Sequence, residues 1–594
     1  MFETTYEVKT RTSKGREAEM AKVPPHLRKY CVQQNVARYS NIDHAVWRFI
    51  MRQLSFYLSQ NAHPCYADGL KKTGIKIDSI PTIEEIDARL QDFGWSAVPV
   101  SGFIPPAAFM ELQSLGILPI ATDMRTVDHL DYTPAPDIVH EAAGHAPILI
   151  NPEFSAYLHK YAQVAAKAIL DKEDLDMYEA IRDLSDLKES PDSTPAQIAK
   201  AEKHLEQVVE NTVHLSEGAL LARMNWWTAE YGLIGDLKNP RIYGAGLLSS
   251  VGESRWALTD KVEKIPFSIK CIDYSYDITE PQPQLFVTPD FATLSKVLDE
   301  FAETMAFWRG GIEGLNKAKV ARTVNTVELN SGLQISGVLT DYFGEGYYLQ
   351  FQGPSQLSYK NSELSGHGRS YHKDGFGSPV GLLKGSAKCL SKYSEAELRN
   401  LGLESGKTAA LEFQSGVKVD GRFKGAMIKD GRVLLLKFED CTVRLGEKTL
   451  FMPEWGTYDM AVGSSIPTVF GGPADRVAYG ETIDFAAKRV PQHQMSGDEQ
   501  RVNDLFLRIR GIRDRYEGTS AETNELGRIA KDVSVSFPTH WLLKMELLEL
   551  SFRARTKPEW HEPLLASLKN DIVGRPQLKD SIENGLKLAE SRYR

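Results

Sequence analysis

A chain of 594 residues is too long for one small module and predicts about three or four domains. Hydrophobic residues make up 42% and charged residues 25%, values typical of globular domains, which excludes collagen, a coiled-coil array and global disorder. Seventy Lys and Arg against 79 Asp and Glu give a net charge of −9, which offers no electrostatic footprint for nucleic acid or an anionic membrane, so we expect a small-molecule partner.

The cysteines and the N-terminus indicate the compartment. Five cysteines form no C-x-x-C pair and leave an odd one over, which favours a reducing environment. The first residues lack the apolar stretch of a signal peptide, and no run approaches the roughly 18 apolar residues that a membrane-spanning helix needs. We therefore expect a cytoplasmic protein without disulfides.

In chain order, the first half is predicted to be mainly helical. Residues 1–38 are polar and without periodicity, which predicts a flexible N-terminal arm. Apolar residues recur at three- and four-residue spacings over 41–58, which predicts an amphipathic helix. A second helix is expected over 81–94, with Thr82 as its N-cap and Gly94 as its stop. We assign residues 39–310 to one mainly α domain.

The second half changes in character twice. Residues 311–475 are rich in glycine and in alternating apolar residues, and two Asp-Gly pairs, Asp420-Gly421 and Asp430-Gly431, are typical of hairpin turns. We therefore predict a separate β-rich domain there. Helical periodicity returns over 495–594, which predicts a C-terminal helical domain. The expected fold class is thus multidomain: a mainly α domain, a β-rich domain and a helical domain.

The sharpest local signal is the segment PDIVHEAAGHAPIL, residues 136–149, in which His140 and His145 flank Glu141. Histidines five apart do not match the zinc-protease pattern, which needs a spacing of four on one helix face. At 3.6 residues per turn they would lie about 140° apart, so convergence on one ion requires the helix to begin or distort here. The alternative is an ordinary pair of histidines that binds no metal.

Two histidines alone would hold a metal ion poorly, so we looked for an anionic third ligand. Glu230 lies in the aromatic segment NWWTAEYGL, where a buried carboxylate needs a partner or a metal. Two histidines and one carboxylate leave open coordination positions, as in non-haem Fe(II) oxygenases. The alternative interpretation of Glu230 is a charge on the surface of a helix.

These segments resemble the tetrahydropterin-dependent aromatic amino acid hydroxylases, and among them most of all the phenylalanine hydroxylases. The matching blocks keep the order of the family and most of its spacings, within 39–307; they are residues 39–54, 100–109, 125–132, 133–149, 226–233 and 243–253. The resemblance implies that residues 39–310 form a catalytic domain of this type. It implies an Fe(II) cofactor, a tetrahydropterin such as tetrahydrobiopterin, and O2 as co-substrate.

The resemblance also implies roles for individual residues. The iron ligands are expected to be His140, His145 and Glu230. The amino acid substrate is expected to contact Arg125, Thr133, Trp226, Gly246 and Ser249, with Arg125 gripping its carboxylate bidentately. The pterin is expected to contact Gly102, Ile104, Phe109 and Glu141, with Phe109 stacking on its ring. Two further tyrosines are expected near the active site, namely Tyr132 and Tyr276.

The resemblance also bears on the substrate. Ile278 stands where tyrosine hydroxylases carry an aspartate, so a phenol is not favoured. Tryptophan hydroxylases usually carry Phe at the place of Trp226, and a bulky indole there favours the smaller ring. Free phenylalanine is therefore the expected substrate, with tryptophan as the alternative. The metabolic partners implied are pterin-recycling enzymes, no nucleic acid or membrane is expected, and the oligomeric state is open.

Some features depart from the family. His145 and Glu230 are separated by about forty extra residues, which we place as an acidic helical hairpin near 160–205; an inert surface elaboration is favoured over a lid or partner site. We expect no regulatory domain of the kind found in animal members, because residues 1–38 are too short to hold one before the catalytic domain. Residues 311–594 match nothing recognised, so they are either a scaffold or a substrate-delivery or regulatory module. Competing functions are a metallohydrolase and a non-catalytic relative that binds a partner.

Overall fold

The structure is a computed structural model that describes residues 21–101, 104–130, 136–189, 193–212, 214–278, 280–480 and 495–591. The first half is mainly helical, as predicted. Its α-helices are Asn41–Asn61, Cys65–Lys72, Ile83–Leu90, Pro106–Ser114, Ala146–Ile148, Pro152–Ala165, Lys172–Glu189, Pro195–Asn211, Glu217–Asn225, Ala245–Leu248, Val251–Trp256, Phe291–Ala302 and Ala306–Arg309. Two π-helices, Val139–His145 and Trp226–Glu230, interrupt this pattern. Across the described ranges, no helix combines the length and the apolarity that crossing a membrane requires.

The predicted helix boundaries hold where capping residues mark them. Thr82 accepts a hydrogen bond from the backbone N–H of Glu85 at the start of Ile83–Leu90. Gly94 ends the following 3-10 turn with a φ of 79°, a left-handed conformation that glycine adopts without strain. Short 3-10 turns also occur elsewhere; they are Pro25–Tyr30, Val36–Arg38, Gln91–Phe93, Val127–His129, Ile269–Asp273, Leu390–Lys392, Pro453–Trp455 and Pro576–Leu578.

Two small sheets complete the first half. Strands β1 (Ser96–Val100) and β2 (Ile117–Ala121) pair in parallel. A four-stranded sheet has the order β4-β3-β6-β5, and its strands are β3 (Leu233–Asp236), β4 (Asn239–Ile242), β5 (Glu263–Pro266) and β6 (Gln284–Thr288). These sheets flank a helical core that contains both π-helices.

The N-terminal segment is more ordered than predicted. Of the arm expected over 1–38, the part described from residue 21 onward includes a 3-10 turn, and Val23 and Leu27 are buried against strand β1 and helix Pro106–Ser114. The expectation of a flexible arm is therefore wrong for 21–38. The inserted segment does form a helical hairpin, since helices Lys172–Glu189 and Pro195–Asn211 pack against each other.

The β-rich region begins with helix Gly311–Ala321 and contains two antiparallel sheets. The strands are β7 (Val324–Glu328), β8 (Leu333–Phe343), β9 (Tyr348–Tyr359), β10 (Ser362–Glu363), β11 (Gly375–Pro379), β12 (Thr408–Glu412), β13 (Val417–Lys429), β14 (Arg432–Leu445), β15 (Lys448–Phe451), β16 (Tyr458–Ala461) and β17 (Thr468–Gly471). One sheet has the order β10-β9-β8-β7-β17, with β11 on β9; the other has the order β12-β13-β14-β15, with β16 on β14. The short helices Glu395–Asn400 and Arg476–Tyr479 lie in this region.

Only one of the two predicted Asp-Gly turns is a turn. Asp430 and Gly431 join β13 to β14 with φ values of 47° and 72°, the positive values that a two-residue hairpin requires. Asp420 and Gly421 instead lie inside β13, beside an irregularity in its pairing with β14. A side chain at Gly421 would come 3.0 Å from the Cβ of Cys441, so close packing against β14 accounts for this glycine.

The C-terminal helices pack onto the first half. They are Gly497–Arg513, Ser520–Ser536, Trp541–Phe552, His561–Gly574 and Lys579–Ser591, and their buried side chains belong to the same hydrophobic core as helix Asn41–Asn61. Phe49 meets Trp541 edge to face with ring centroids 5.1 Å apart. Arg48 donates a 2.7 Å hydrogen bond to Glu546 and is also paired with Glu549. The C-terminal helices share this core with the first half of the chain. A separate domain over 495–594 therefore stays a prediction.

Candidate active site

The two histidines of the segment 136–149 converge because their helix is a π-helix. In Val139–His145 the backbone bonds span five residues rather than four, so residues five apart share one face. The Nε2 atoms of His140 and His145 lie 3.2 Å apart. The distortion that the sequence required at this point is therefore present. Gly144 allows the segment of Ala245 to pack closely on this helix, since a side chain there would lie 2.6 Å from the backbone oxygen of Ala245.

Glu230 completes the cluster from the end of the second π-helix. Its two carboxylate oxygens each lie 3.3 Å from one imidazole, Oε2 from Nε2 of His140 and Oε1 from Nε2 of His145. Three ligands at about 2.1 Å from one metal ion, at right angles to each other, would be separated by about 3.0 Å. The donor set and its spacing therefore fit a divalent iron on one face of its coordination sphere.

Ser249 orients the ring of His140. The serine Oγ donates to the backbone oxygen of Ala245 at 2.8 Å and lies 3.2 Å from Nδ1 of His140. With its own proton donated to Ala245, Oγ is free to accept from Nδ1–H of His140, and in that tautomer Nε2 carries the lone pair that a metal ligand needs. The sequence predicted that Ser249 contacts the substrate; the structure brings its hydroxyl to a proposed metal ligand.

Arg125 is buried and held by Asp137. Its Nε and Nη2 donate to the two oxygens of Asp137 at 2.8 and 2.7 Å, and Nη1 donates to the backbone oxygen of Ser249 at 3.2 Å. Asp137 also accepts from the backbone N–H of His140 at 3.0 Å. Burial acts to raise the pKa of Asp137, but the Arg125 guanidinium holds that pKa below its ordinary value.

Asp137 was missed by the sequence reasoning, although it lies three residues before His140. The signal was the one used for Glu230: a carboxylate in an otherwise apolar segment needs a partner when it is buried. Asp137 connects the arginine to the helix that carries both histidines.

Trp226 lies in an aromatic stack. Its indole stacks on Tyr276 with centroids 4.3 Å apart and on Tyr231 at 4.6 Å. The Tyr231 hydroxyl donates to the Glu253 carboxylate at 3.0 Å, and burial raises the pKa of Glu253 to about 7. Trp226 and Tyr276 were predicted. Tyr231 was missed because an aromatic residue in a core gives no separate sequence signal, and Glu253 was missed because its partner lies 22 residues away in the sequence.

Gly246 lies where two segments approach closely. A side chain at this position would come 2.9 Å from the ring of Tyr231 and 3.1 Å from the backbone oxygen of Glu230. The sequence predicted that this glycine admits the substrate. The structure shows that it admits the segment that carries Glu230.

The two buried glutamates of the site differ in charge. Burial acts to raise the pKa of Glu230, but His145 and His140 hold it well below the ordinary value, so this carboxylate is ionised. Burial raises the pKa of Glu141 to about 8. Glu141 Oε2 lies 3.9 Å from Nε2 of His145 and has no hydrogen-bond partner among the described residues. A neutral carboxyl with an unpaired oxygen fits a ligand that offers hydrogen-bonding groups, such as a pterin.

The other residues predicted on the pterin side are only partly described. Phe109 lies on helix Pro106–Ser114, half-buried against the cluster that also contains Ile104. Glu111 of the same helix accepts from Arg476 at 2.7 Å, which ties the helix to the end of the β-rich region. Three predicted residues, Gly102, Tyr132 and Thr133, lie outside the described residues.

Part of the chain is similar to known proteins. Residues 9–173 and 214–308 match the family of biopterin-dependent aromatic amino acid hydroxylases, so the skipped insertion, 174–213, lies about ten residues later than expected. The phenylalanine-4-hydroxylase of Pseudomonas aeruginosa is 30% identical over 264 residues, which cover 44% of this chain and 84% of that protein. The corresponding enzyme of Vibrio cholerae is 29% identical over 289 residues, covering 47% and 84%.

Solved structures are also similar to part of the chain. Phenylalanine hydroxylase from Chromobacterium violaceum with bound iron(III) and 7,8-dihydrobiopterin is 25% identical, covers 50% of this chain and 92% of that chain, and has a TM-score of 0.38.

Proposed function

Because the chain belongs to the biopterin-dependent aromatic amino acid hydroxylases, we propose that it is a non-haem Fe(II), tetrahydropterin-dependent monooxygenase that converts free phenylalanine to tyrosine. The observation that carries the proposal is the convergence of His140, His145 and Glu230 within 3.3 Å of each other. Iron and the reduced pterin, when bound, activate O2: the pterin supplies two electrons, and one oxygen atom goes to the pterin and the other to the substrate ring.

The residues of this chain supply ligation and orientation. His140, His145 and Glu230 hold the metal, and Ser249 keeps the Nε2 lone pair of His140 available for it. Arg125, fixed by Asp137, holds the substrate carboxylate and converts a bimolecular encounter into a positioned one. Both features fix the distance between the substrate ring and the metal before reaction.

The remaining predicted residues are assigned to the pterin pocket and the substrate pocket. Phe109 stacks on the pterin, the backbone of Gly102 and Ile104 hydrogen-bonds its edge, and the unpaired Glu141 carboxyl lies beside it. Trp226 with Tyr276 and Gly246 contribute to the substrate pocket, and the resemblance adds roles for Thr133 and Tyr132. Such a pocket excludes water and so limits unproductive turnover.

Phenylalanine is favoured over the other aromatic amino acids. The indole of Trp226, held in its stack by Tyr231 and Tyr276, narrows the pocket and disfavours the larger ring of tryptophan. Ile278 offers no hydrogen-bonding group for the hydroxyl of tyrosine.

The cellular setting proposed is the cytoplasm. The five cysteines are all free thiols, as expected in a reducing compartment. Since each turnover oxidises one pterin, an enzyme that reduces pterins is the expected metabolic partner.

Turnover assays test the proposal. Anaerobically purified protein is incubated with Fe(II), tetrahydropterin and O2, and with phenylalanine, tryptophan or tyrosine in separate reactions. We expect tyrosine from phenylalanine, with a lower rate on tryptophan. A preference for tryptophan would establish the alternative substrate, and the absence of hydroxylated product from every amino acid at saturating iron and pterin would overturn the proposal.

A further inference from the structure

A second group of two histidines and a carboxylate lies in the β-rich region. His367 and His372 are in the connection between β10 and β11, and Asp459 is on β16. Nδ1 of His367 lies 3.2 Å from Nε2 of His372. One potential ligand atom of each of the three residues lies within 4.8 Å of the other two. The sequence signal that was missed is the histidine spacing of five, the same as in the active site.

The backbone around these residues is fixed by the sheets. The backbone N–H of Leu357 donates to the oxygen of His367 at 2.9 Å, and that of Ser355 donates to the oxygen of His372 at 3.0 Å. Both donors belong to β9. Asp459 is held by pairing of β16 with β14, opposite Lys437. The three side chains are thus brought together from both sheets by regular hydrogen bonding.

Asp459 is buried in a place that supplies no cation. It is only 5% exposed, and among the described residues no lysine or arginine forms an ion pair with it. The ammonium of its cross-strand neighbour Lys437 lies over the ring of Tyr371, 6.0 Å from its centroid. A buried carboxylate without a cation is costly. A metal ion held together with the two imidazoles would remove that cost.

The chemistry of the donors indicates which ion. His372 is buried, and an imidazole in its neutral form offers a ring nitrogen with a lone pair to a metal ion. Neutral imidazoles with a carboxylate are the ligands of four-coordinate zinc sites, in which three protein ligands leave one position open. The hydroxyl of Tyr371 is hydrogen-bonded to Asp459.

We propose that His367, His372 and Asp459 form a second metal site, which binds zinc or a similar divalent transition-metal ion in the β-rich region. Water or the Tyr371 hydroxyl takes the fourth position. The competing explanation of the 3.2 Å separation is a direct hydrogen bond between the two imidazoles. That bond supplies no cation for the buried carboxylate of Asp459.

Zinc titration of the full chain separates the two explanations. The Glu230→Ala variant, which lacks a complete active-site cluster, is freed of metal by chelation, titrated with zinc chloride and measured for bound zinc by mass spectrometry. We expect one zinc per chain. Adding Asp459→Asn or His367→Gln should weaken this binding at least about tenfold, since even residues that merely support a metal ligand contribute 10- to 100-fold.

Two controls keep the outcome interpretable. His204 is exposed on the insertion helix, so His204→Gln in the same background should bind zinc unchanged. Circular dichroism checks folding; Asp459→Asn keeps the size of the side chain, and His367 is only partly buried, so at least one variant should fold. Zinc binding that is absent in Glu230→Ala, or that is equal with and without the Asp459 and His367 changes, would overturn the proposal in favour of the imidazole hydrogen bond.

Discussion

The two histidine pairs of this chain have the same spacing but different scaffolds. In both, the residues are five apart and the closest ring nitrogens are separated by 3.2 Å. The rings of His140 and His145 are nearly perpendicular, at 80°, with centroids 5.0 Å apart. Those of His367 and His372 are nearly parallel, at 24°, with centroids 5.4 Å apart.

This difference shows what the π-helix contributes. In the active site, each carboxylate oxygen of Glu230 lies 3.3 Å from one of the two ring nitrogens. In the second cluster, the ligand atoms of the two histidines and Asp459 lie only within 4.8 Å of one another. The active-site cluster is therefore the better organised of the two for metal binding, and we expect the second site to bind more weakly.

The largest effect expected is that of Glu230→Ala. Loss of the carboxylate removes one of three metal ligands and leaves two imidazoles, so we expect iron content to fall and turnover to drop by more than the 10- to 100-fold typical of supporting residues. Iron is measured by mass spectrometry and activity by tyrosine formation. Asp459→Asn is the matched control, because it changes the carboxylate of the other cluster and should leave tyrosine formation unchanged. Full activity and iron retention in Glu230→Ala would refute the ligand assignment.

The next-largest effect is expected for Arg125, which lies beside the active-site cluster. Among the described residues, the second cluster has no equivalent arginine. Arg125→Ala should raise the KM for phenylalanine about 10- to 100-fold, because charge-assisted hydrogen bonds contribute roughly 1.5–3 kcal/mol. We expect a smaller change in kcat. The single change also leaves the buried carboxylate of Asp137 without its cation, which should destabilise the fold by about 3–5 kcal/mol.

The double variant Arg125→Ala with Asp137→Asn separates these two effects. It removes the unpaired charge, so stability measured by denaturant unfolding should recover while the KM stays high. A KM close to that of the unchanged protein in both variants would show that Arg125 does not hold the substrate.

The sequence predicted local features of the fold better than contacts between distant segments. Capping at Thr82 and the hairpin at Asp430 and Gly431 are encoded by a few adjacent residues, and both are found. Asp420-Gly421 has the same composition but lies in a strand, because pairing with β14 outweighs the turn preference. The packing of the C-terminal helices on helix Asn41–Asn61 had no local signal at all.

Contacts between distant segments were also the hardest feature of the active site and of the second cluster to predict from the sequence. The histidine spacing of 140 and 145 required a distorted helix, and the resemblance supplied Glu230 as a partner. Asp137 and Tyr231 were missed because their partners come from distant segments or from the core. Asp459 lies 87 residues beyond His372, on a strand whose neighbours are set by the topology of the sheet, so the sequence alone gave no reason to connect them.

A smaller effect is expected when Trp226 is replaced, and this effect is on the preference of the active site for phenylalanine over tryptophan. Trp226→Phe shortens the wall of the pocket and weakens the stack with Tyr276 and Tyr231. We expect the ratio of kcat/KM for tryptophan to that for phenylalanine to rise by up to about tenfold, in the range that pocket size can provide. Competition assays with both amino acids measure this ratio directly. An unchanged ratio would mean that Trp226 does not limit the pocket.

The smallest effect expected is the contribution of His44 to the pH dependence of stability. Unlike the histidines of the two clusters, His44 has arginines and not a carboxylate as its charged neighbours. His44 accepts from the backbone N–H of Ile80 at 3.3 Å, and burial, with Arg510 and Arg513, lowers its pKa to about 4. Between pH 6.5 and about 4 the unfolded chain therefore binds a proton that the folded chain does not, so stability falls as the pH falls.

The expected loss between pH 7 and pH 5 is about 2 kcal/mol, measured by denaturant unfolding. His44→Gln cannot be protonated, so this variant should lose correspondingly less stability between pH 7 and pH 5. Because His44 lies where helix Asn41–Asn61 meets the C-terminal helices, the loss should first appear as faster hydrogen exchange along this interface. An equal pH dependence with and without His44 would assign the acid sensitivity to other buried groups.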